Sequence, residues 1–291
     1  TTEIYTLSLH DALPILFSDL AIYFGVVMSL WISFRILNYP DLALQQLFAF
    51  GGGLYAFLEI NGVPILAQFP IFVVIAMALG FLCGFLRNRL SIHPILIALS
   101  VGYICYSLYL VMLGRPNLYF GTAEARPDRL TTLLVPGAFF CILCIVVSIV
   151  SHTRLGLRII AAGCNPTLAA RHKIGRKFAQ SIGLASAFFF AFCSGALFSW
   201  RASSTDVGSG DGLLLVAIFV VVATRAIQGR VRLATNVIVL TGVLASYLAV
   251  LQAVQLIGVS PQYFKGISAV LLLALVILFP RTRAQFLAIR N

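Results

Sequence analysis

The hydrophobic positions of this chain come in long blocks, and short polar stretches separate the blocks. Nine apolar windows, each bounded by glycine, proline or charge, cover residues 16–35, 41–60, 64–86, 92–113, 131–151, 178–200, 210–228, 231–251 and 264–280. Most windows are close to the ~20 residues that an α-helix needs to cross a bilayer. The pattern predicts an all-α, polytopic integral membrane protein with about eight or nine transmembrane helices.

The composition agrees with lipid as the solvent of these windows. Hydrophobic residues make up 60% of the chain and charged residues 10%, whereas a soluble domain is about 45–50% apolar and about 25% charged. The formal net charge of +11 would in a soluble protein suggest an acidic partner such as nucleic acid. Here the basic residues fall between the apolar windows, so they indicate membrane topology instead.

The basic residues are unevenly divided between the two sides of the predicted membrane. If every window crosses, one side receives fifteen of them: Arg35, Arg87, Arg89, Arg154, Arg158, Arg171, Lys173, Arg176, Lys177, Arg225, Arg230, Arg232, Arg281, Arg283 and Arg290. The other side receives five: Arg115, Arg126, Arg129, Arg201 and Lys265. Cytoplasmic loops carry the excess of Lys and Arg. The first side is therefore predicted to be cytoplasmic, and the C-terminus lies on it.

The window at 41–60 leaves an alternative open, because polar residues and glycines interrupt its beginning. If it re-enters the membrane without crossing, the later loops keep their alternation and only the first helix reverses its direction. The charge bias therefore fixes the body of the protein and not its first helix.

The stretch from Phe34 to Gly53, FRILNYPDLALQQLFAFGGG, concentrates the polar residues of this region. Pro40 disfavours helical geometry at the residue before it, so the first helix is predicted to end near Asn38. Asp41 favours the start of the next helix through its capping oxygen and its charge. Gln45 and Gln46 are costly in lipid and should face protein or a water-filled cavity.

Two interpretations of this stretch remain open, a polar gate on a transport path and a capped helix start with glycine-mediated packing. The first interpretation gives these candidate path residues: Asn38, Asp41, Gln45, Gln46 and Gly51.

The longest basic loop, residues 152–177, carries its own helix signals. Asn165 and Pro166 are typical of a helix start, and Gly175 is typical of a helix end. The segment between them predicts a short helix lying across the cytoplasmic face, suited to docking another protein. Its candidate docking residues are Asn165, Pro166, Leu168, Ala169, Ala170, Arg171, His172, Lys173, Ile174 and Gly175. The alternative is a plain basic loop that only sets topology.

Three segments resemble ABC-importer permeases of the branched-chain amino acid type. They read LGLRIIAAGCNPTLAARHKIG, SFRILNYPDLALQQLFAFGG and SGALFSWRASSTDVGSGDGLLLVAIFVVVATRAI, and they occur in the family's order between Ser33 and Ile227. The chain is most similar to the tryptophan/tyrosine permease relatives of that family. It departs from the family after Leu42, where Ala43, Leu44, Gln45 and Gln46 replace the usual Thr, acidic residue and Gly.

The resemblance implies a set of partners in the bacterial inner membrane. The loop at 152–177 would hold the coupling helix that fits a cleft of a separate cytoplasmic ATPase subunit. That ATPase would bind ATP and Mg, so this chain needs no cofactor. A second permease copy, as a homodimer, would complete the path, and an extracytoplasmic solute-binding protein would deliver an amino acid or similar small polar solute near segments 114–130 and 201–212.

Motifs of enzymes and nucleotide-binding proteins are missing from the sequence. It has no G-x-x-x-x-G-K-[ST], H-E-x-x-H or G-x-S-x-G pattern, so the chain is expected to catalyse nothing. The pair Cys141 and Cys144 lies in an apolar window without a second pair or a histidine, and it is interpreted as a packing feature rather than a metal site. A stand-alone ion-coupled secondary transporter remains the alternative function.

The first fifteen residues, TTEIYTLSLHDALPI, differ from the rest in polarity and match the translation of a sequencing adapter. They are expected to be a non-native artefact, which leaves residues 16–291 as a single transmembrane permease domain.

Overall fold

The computed structural model describes residues 9–37, 39–90, 92–121, 129–164, 175–227, 233–259 and 263–278. Within these ranges the helices are α1 Leu9–Leu30, continued by a π-helix at Trp31–Ile36, α2 Leu44–Ile60, α3 Ile65–Arg89, α4 Pro94–Leu113, α5 Arg129–His152, α6 Arg154–Cys164, α7 Arg176–Ala202, α8 Leu213–Ile227, α9 Leu233–Leu256 and α10 Phe264–Leu278. The same described ranges also contain two short strands, β1 Asn117–Tyr119 and β2 Ser204–Asp206.

Each predicted apolar window corresponds to one of these helices. Among the described residues, six segments are long and apolar enough to cross a membrane: Ile15–Phe34, Ile65–Arg89, Pro94–Leu113, Thr131–Val150, Lys177–Ala202 and Val237–Gln255. Two further apolar helices, α8 and α10, are shorter. The all-α, polytopic membrane fold is therefore confirmed, while the number of crossings stays a prediction.

Helix α7 lies at the centre of the bundle and packs closely against both α2 and α3. A Cβ added at Gly195 would lie 2.8 Å from the carbonyl carbon of Phe48, and one added at Gly51 would lie 2.9 Å from the carbonyl carbon of Phe192. Because no side chain stands between them, the two backbones approach each other directly. We call this region the α2–α7 contact.

Helices α1 and α3 run antiparallel to α7. Gly80 faces Ala185, and Gly84, one turn further along α3, faces Ser181, one turn back along α7. This arrangement places the C-terminal end of α3 beside the beginning of α7. Exposed basic residues gather there, and we call it the basic end of the bundle: Arg89, Arg154, Arg158 and Lys177.

The opposite end carries the two strands, and we call it the strand end. β1 and β2 pair antiparallel, with Asn117 opposite Asp206 and Tyr119 opposite Ser204. The sequence pattern predicts separate loops at 114–130 and 201–212 and no strand in either. The pairing shows that the described parts of these two segments form one unit at this end of the protein.

The predicted boundaries around Pro40 lie within three residues of the observed ones. Helical structure ends at Ile36 rather than near Asn38, which lies outside the described residues, and α2 begins at Leu44 rather than at Asp41. Helix α6 was not predicted, since the sequence argument placed its helix later in the loop. Helix α1 extends back to Leu9, into the segment expected to be foreign, and that domain boundary stays a prediction.

Candidate functional site

The connection between α1 and α2 lies inside the bundle. Tyr39 is fully buried and Asp41 is only 1% exposed. Gly183 of α7 packs against Leu37, and Gly102 of α4 packs against Ala43. The structure encloses this chain reversal between α3, α4 and α7, and we call it the buried connection (residues 37–43, of which Asn38 is not described).

The depth of the buried connection follows from its neighbours. Gly102 is eight residues from the first residue of α4, which corresponds to about 12 Å of helix. On the other side, the Arg87 guanidinium of α3 lies over the Tyr39 ring at 5.5 Å from its centroid. This is a cation–π distance, so a basic side chain from the basic end reaches in as far as Tyr39.

Asp41 is the polar centre of the buried connection. Its Oδ1 accepts a hydrogen bond from the backbone N–H of Ala43 at 3.1 Å, as expected for a residue that organises the start of α2. Its Oδ2 is buried and has no hydrogen-bond partner among the described residues. Burial raises the pKa of this carboxyl from 3.8 to about 7, although the Ala43 N–H acts in the opposite direction.

The two glutamines of the first turn of α2 lie on different sides of that helix. The backbone of Gln45 packs against Gly210, where an added Cβ would lie 2.7 Å from the Gln45 carbonyl carbon. The side-chain oxygen of Gln46 faces Gly102, at 3.2 Å from where a Cβ would stand. Both residues are half-buried. The Gln46 amide therefore contacts protein, whereas for Gln45 the contact is made by the backbone.

Gly51 has the geometry of a helix-packing position. It is buried, and its missing side chain lets the backbone of Phe192 approach. The neighbouring Gly53 makes room for the ring of Tyr109 in the same way. Tyr109 in turn donates a hydrogen bond to Pro116 O or Thr205 Oγ1, each at 3.2 Å. The assignment of Gly51 to a transport path stays a prediction.

Most of the predicted docking residues lie outside the described residues, and so does Asn38. They are Asn165, Pro166, Leu168, Ala169, Ala170, Arg171, His172, Lys173 and Ile174. Gly175 is described, and it is exposed directly before α7. Its carbonyl accepts the N–H of Ala179 at 3.0 Å, so this glycine caps the beginning of α7.

The first half of the same loop forms the amphipathic helix α6. Thr153 separates α6 from α5, and its Oγ1 accepts the backbone N–H of Gly156 at 3.2 Å. Ile159 is buried, whereas Arg154 and Arg158 are exposed. The helix therefore packs one face on the bundle and presents basic side chains on the other.

Sequence reasoning overlooked an ion pair at the strand end. Arg201 Nη1 lies 2.6 Å from Asp19 Oδ1 and donates to Ser18 Oγ at 2.9 Å. Both charged side chains are about a fifth exposed, and the pair joins α1 to α7. The sequence does contain a signal for this ion pair. Asp19 lies near the start of one apolar window and Arg201 directly follows another, and both positions are predicted at the same membrane surface.

The fold and the buried polar connection define the class of the protein as a multi-pass membrane protein with polar groups placed inside its helix bundle. The family model described as the permease component of the branched-chain amino acid transport system matches residues 15–276. The chain belongs to this family. The family resemblance predicted from the three sequence segments is thereby confirmed.

Two curated relatives show how broad the similarity is. The chain is 22% identical over 194 residues to a tyrosine transport system permease protein of Clostridioides difficile (strain R20291), over 66% of each chain. It therefore spans just under two thirds of that relative's length. It is 25% identical over 210 residues to an uncharacterised protein of Rickettsia prowazekii (strain Madrid E), over 69% of this chain and 72% of that protein. No solved structure matches the chain.

Proposed function

We propose that this chain is the transmembrane permease subunit of a bacterial ABC importer that carries an amino acid or a similar small polar solute. The observation that carries the proposal is the family match over residues 15–276. The tyrosine transport permease relative supports an amino acid as the solute. The chain would act as a conduit, and catalysis would belong to a separate ATPase that binds ATP and Mg.

In this proposal the basic end of the bundle lies in the cytoplasm, as the excess of Lys and Arg indicates. The C-terminus lies on the same side of the bacterial inner membrane. The segment from Asn165 to Gly175 is the coupling helix that docks on the ATPase. Helix α6 leads into this segment and is anchored to the bundle by buried Ile159. Movement of the docked segment is thereby transmitted to α7.

The solute path would include the buried connection and the first turn of α2. Asp41, Gln45 and Gln46 supply the polar groups, and the N-terminal end of α2 carries a partial positive charge. Two copies of the chain would form a homodimer around the path. The paired strands at the strand end would face the solute-binding protein.

The test is reconstitution of the chain with the ATPase and the solute-binding protein whose genes neighbour its own. We expect uptake of an amino acid that requires ATP and the binding protein. Arg171→Glu or Ala169→Trp should abolish copurification of the ATPase, because these substitutions change the charge or shape of the coupling helix. Arg158→Glu is the matched control, since Arg158 is an exposed arginine of the same basic end outside the coupling segment.

Two results would contradict the proposal. One is ATPase binding that survives both coupling-helix substitutions. The other is uptake by the purified chain that needs an ion gradient and no ATP.

Asp41 favours one alternative, a stand-alone ion-coupled transporter. Such carriers place a protonatable group at an interrupted helix inside the membrane, and Asp41 lies between α1 and α2 with one unpartnered oxygen among the described residues. Asp41→Asn separates the two functions. In this variant proton-driven uptake would be lost, whereas the uptake that an importer retains would still be driven by ATP and by no proton gradient.

A further inference from the structure

An apolar cavity of about 170 Å³ lies beneath α6. Its walls come from the first helix with its π-helical end, from α5, from α6 itself and from α7. The described residues that line it carry no charge, and the one hydroxyl among them, Ser186 Oγ, already donates to Gly183 O at 2.7 Å. The cavity therefore suits hydrocarbon and not a zwitterionic solute. We call it the α6 cavity.

The π-helix at Trp31–Ile36 shapes one wall of the α6 cavity. The backbone N–H of Leu37 donates to Ile32 O, five residues back, at 3.0 Å, which is the hydrogen bond of a π-helix and not of an α-helix. Trp31 and Ile36, which are also five residues apart, both line the cavity. Short π-helical turns inside α-helices occur frequently at functional sites, and here the irregular turn and the cavity form one local feature.

The size and position of the α6 cavity match a lipid acyl chain. An apolar cavity of about 150 Å³ stays free of water and takes up a molecule such as benzene. The edge of this cavity is open to the bilayer, since Val146 and Val150 of α5 belong to its lining and are each 42% exposed. Its lining residues Ser186 and Phe190 lie about 15 and 21 Å along α7 from Arg176. One leaflet contributes about half of the ~30 Å hydrocarbon core, so the cavity lies at the depth of an acyl chain.

The charge around the α6 cavity distinguishes one class of lipid from the others. Arg154 begins α6 and Arg158 precedes Ile159, whose side chain lines the cavity. Both arginines are exposed, and so is Lys177 at the beginning of α7. The sequence contains no Asp or Glu from residue 129 to residue 205, so α5, α6 and α7 offer these cations no carboxylate. Basic residues at a membrane surface attract anionic headgroups, and a phosphate beside α6 would complement this charge.

We propose that the α6 cavity binds one acyl chain of an anionic phospholipid whose headgroup lies beside Arg154 and Arg158. The chain passes beneath the packed face of α6, and the headgroup meets the arginines on its exposed face. The bound lipid thereby holds α6 against α7 and against the π-helix. This inference requires only the helix bundle and a membrane, so it goes beyond the proposed function and does not depend on it.

Trp31 provides the readout for occupancy of the α6 cavity. Its side chain lines the cavity and is only 3% exposed, so a lipid must enter the cavity to contact its ring. The sequence has two tryptophans, and Trp200→Phe leaves Trp31 as the only one. The full chain is placed in phosphatidylcholine vesicles that contain increasing fractions of a phospholipid with brominated acyl chains, because bromine quenches indole fluorescence on contact. We expect brominated phosphatidylglycerol to reach half-maximal quenching at about one fifth of the mole fraction that brominated phosphatidylcholine needs.

Filling the α6 cavity should abolish this quenching. Ser186→Leu places a branched apolar side chain in the space of the acyl chain. Ser246→Leu in α9 is the matched control, because Ser246 is exposed and its hydroxyl also donates to a carbonyl three residues back, that of Val243 at 2.8 Å. If Ser186→Leu does not fold, Val146→Phe narrows the exposed edge of the cavity, with Val250→Phe, whose position is 47% exposed, as its control.

A second pair of variants tests the headgroup. Arg154→Gln combined with Arg158→Gln should reduce the preference for phosphatidylglycerol from about fivefold to none, because the charge that attracts the phosphate is lost. Quenching by phosphatidylcholine should stay as it was. Arg115→Gln is the control, since Arg115 is an exposed basic residue at the strand end, and it should retain the full preference.

Three results would overturn the proposal. The first is Trp31 fluorescence that neither brominated lipid quenches, and the second is quenching by both lipids at the same mole fraction. The third is quenching that Ser186→Leu and Val146→Phe leave unchanged. None of these measurements involves uptake or an ATPase, so the lipid site and the importer function stand or fail separately.

Discussion

The α2–α7 contact and the buried connection are both enclosed by the bundle, but they are built from different chemistry. At the contact, glycines on both helices bring two backbones together, and the side chains around them are uncharged: the rings of Phe48 and Phe192 and the hydroxyl of Ser199. At the connection, Asp41 and Tyr39 bring polar atoms inside, and one carboxylate oxygen has no hydrogen-bond partner among the described residues.

This difference indicates that the α2–α7 contact stabilises the fold, whereas the buried connection can change its protonation state or bind a ligand. A close-packed contact between backbones tolerates little added volume, whereas an incompletely satisfied buried carboxyl responds to its protonation state and to ligands. The predictions below test this division, beginning with the change that should have the largest effect.

Gly195→Leu should prevent the α2–α7 contact from forming. Even a Cβ at this position would meet the carbonyl group of Phe48 and the nitrogen of Gly52, and neither backbone can move aside. We expect loss of monodisperse protein in detergent, and for Gly195→Ala a loss of about 3 kcal/mol in the free energy of unfolding.

The control is Gly242→Leu in α9, where no heavy atom lies within 4 Å of an added Cβ. Size-exclusion chromatography after heating compares the variants. Equal behaviour of Gly195→Leu and Gly242→Leu would show that the contact is not tightly packed.

Asp41→Asn should stabilise the protein at neutral pH and above. The amide oxygen still accepts the Ala43 N–H, while the cost of burying a charge disappears. Because the pKa of Asp41 is raised to about 7 in the folded protein, the folded chain binds more protons than the unfolded chain between about pH 4 and pH 7. Stability of the wild type should therefore fall as the pH rises through this window.

The melting temperature of each variant across that pH range is the measurement. Asp41→Asn should lose this part of the pH dependence, and Asp211→Asn, which changes an exposed carboxyl, should retain it. A wild-type stability that rises from pH 4 to pH 7 as steeply as that of the Asp41 variant would contradict the burial argument.

The ion pair at the strand end provides a polar contact of a third kind, in which both partners are present. Asp19→Asn or Arg201→Gln should each lower the free energy of unfolding by about 2 kcal/mol, because each leaves a half-buried charge without its partner. The double variant should lose clearly less than the sum of the two. A double-mutant cycle by thermal unfolding measures this coupling, and strict additivity would mean that the pair contributes nothing.

Thr153→Ala should have the smallest effect and should be confined to the basic end. Loss of the hydroxyl that caps α6 costs about 1 kcal/mol, so amide hydrogen exchange should accelerate in Arg154–Cys164 and not in α7. Thr241→Ala is the control, since its hydroxyl donates to Val237 within a continuous helix. Faster exchange throughout the bundle would show that α6 supports the whole fold.

The sequence was sufficient to place the membrane helices, because a block of about 20 apolar residues has the length that a helix needs to cross a bilayer. It was insufficient for β1 and β2, since three-residue strands such as Asn117–Tyr119 have no readable periodicity and pair across many residues. Helix α6 could have been predicted from its sequence. Ile159 and Ile160 follow Gly156 at spacings of three and four residues, as positions on one face of a helix do.

The candidate site shows the same limit. Residue types identified Asp41, Gln45 and Gln46 as unusual in lipid, and the structure places Asp41 and Gln46 beside other helices and the Gln45 backbone beside Gly210. The burial of Asp41 was beyond sequence reasoning, because it is produced by α3, α4 and α7 and not by neighbours in the chain.

The position of α2 has a consequence for how the protein is made. Its main packing partner, α7, begins at Arg176, so more than a hundred residues must be synthesised after Ile60 before the two helices meet. At ribosomal rates of about 5–20 residues per second, this interval lasts on the order of ten seconds. During that time the newly inserted α2 presents its three glycines and two glutamines to whatever surrounds it. We expect the insertion machinery to shelter this helix until the second half of the chain arrives.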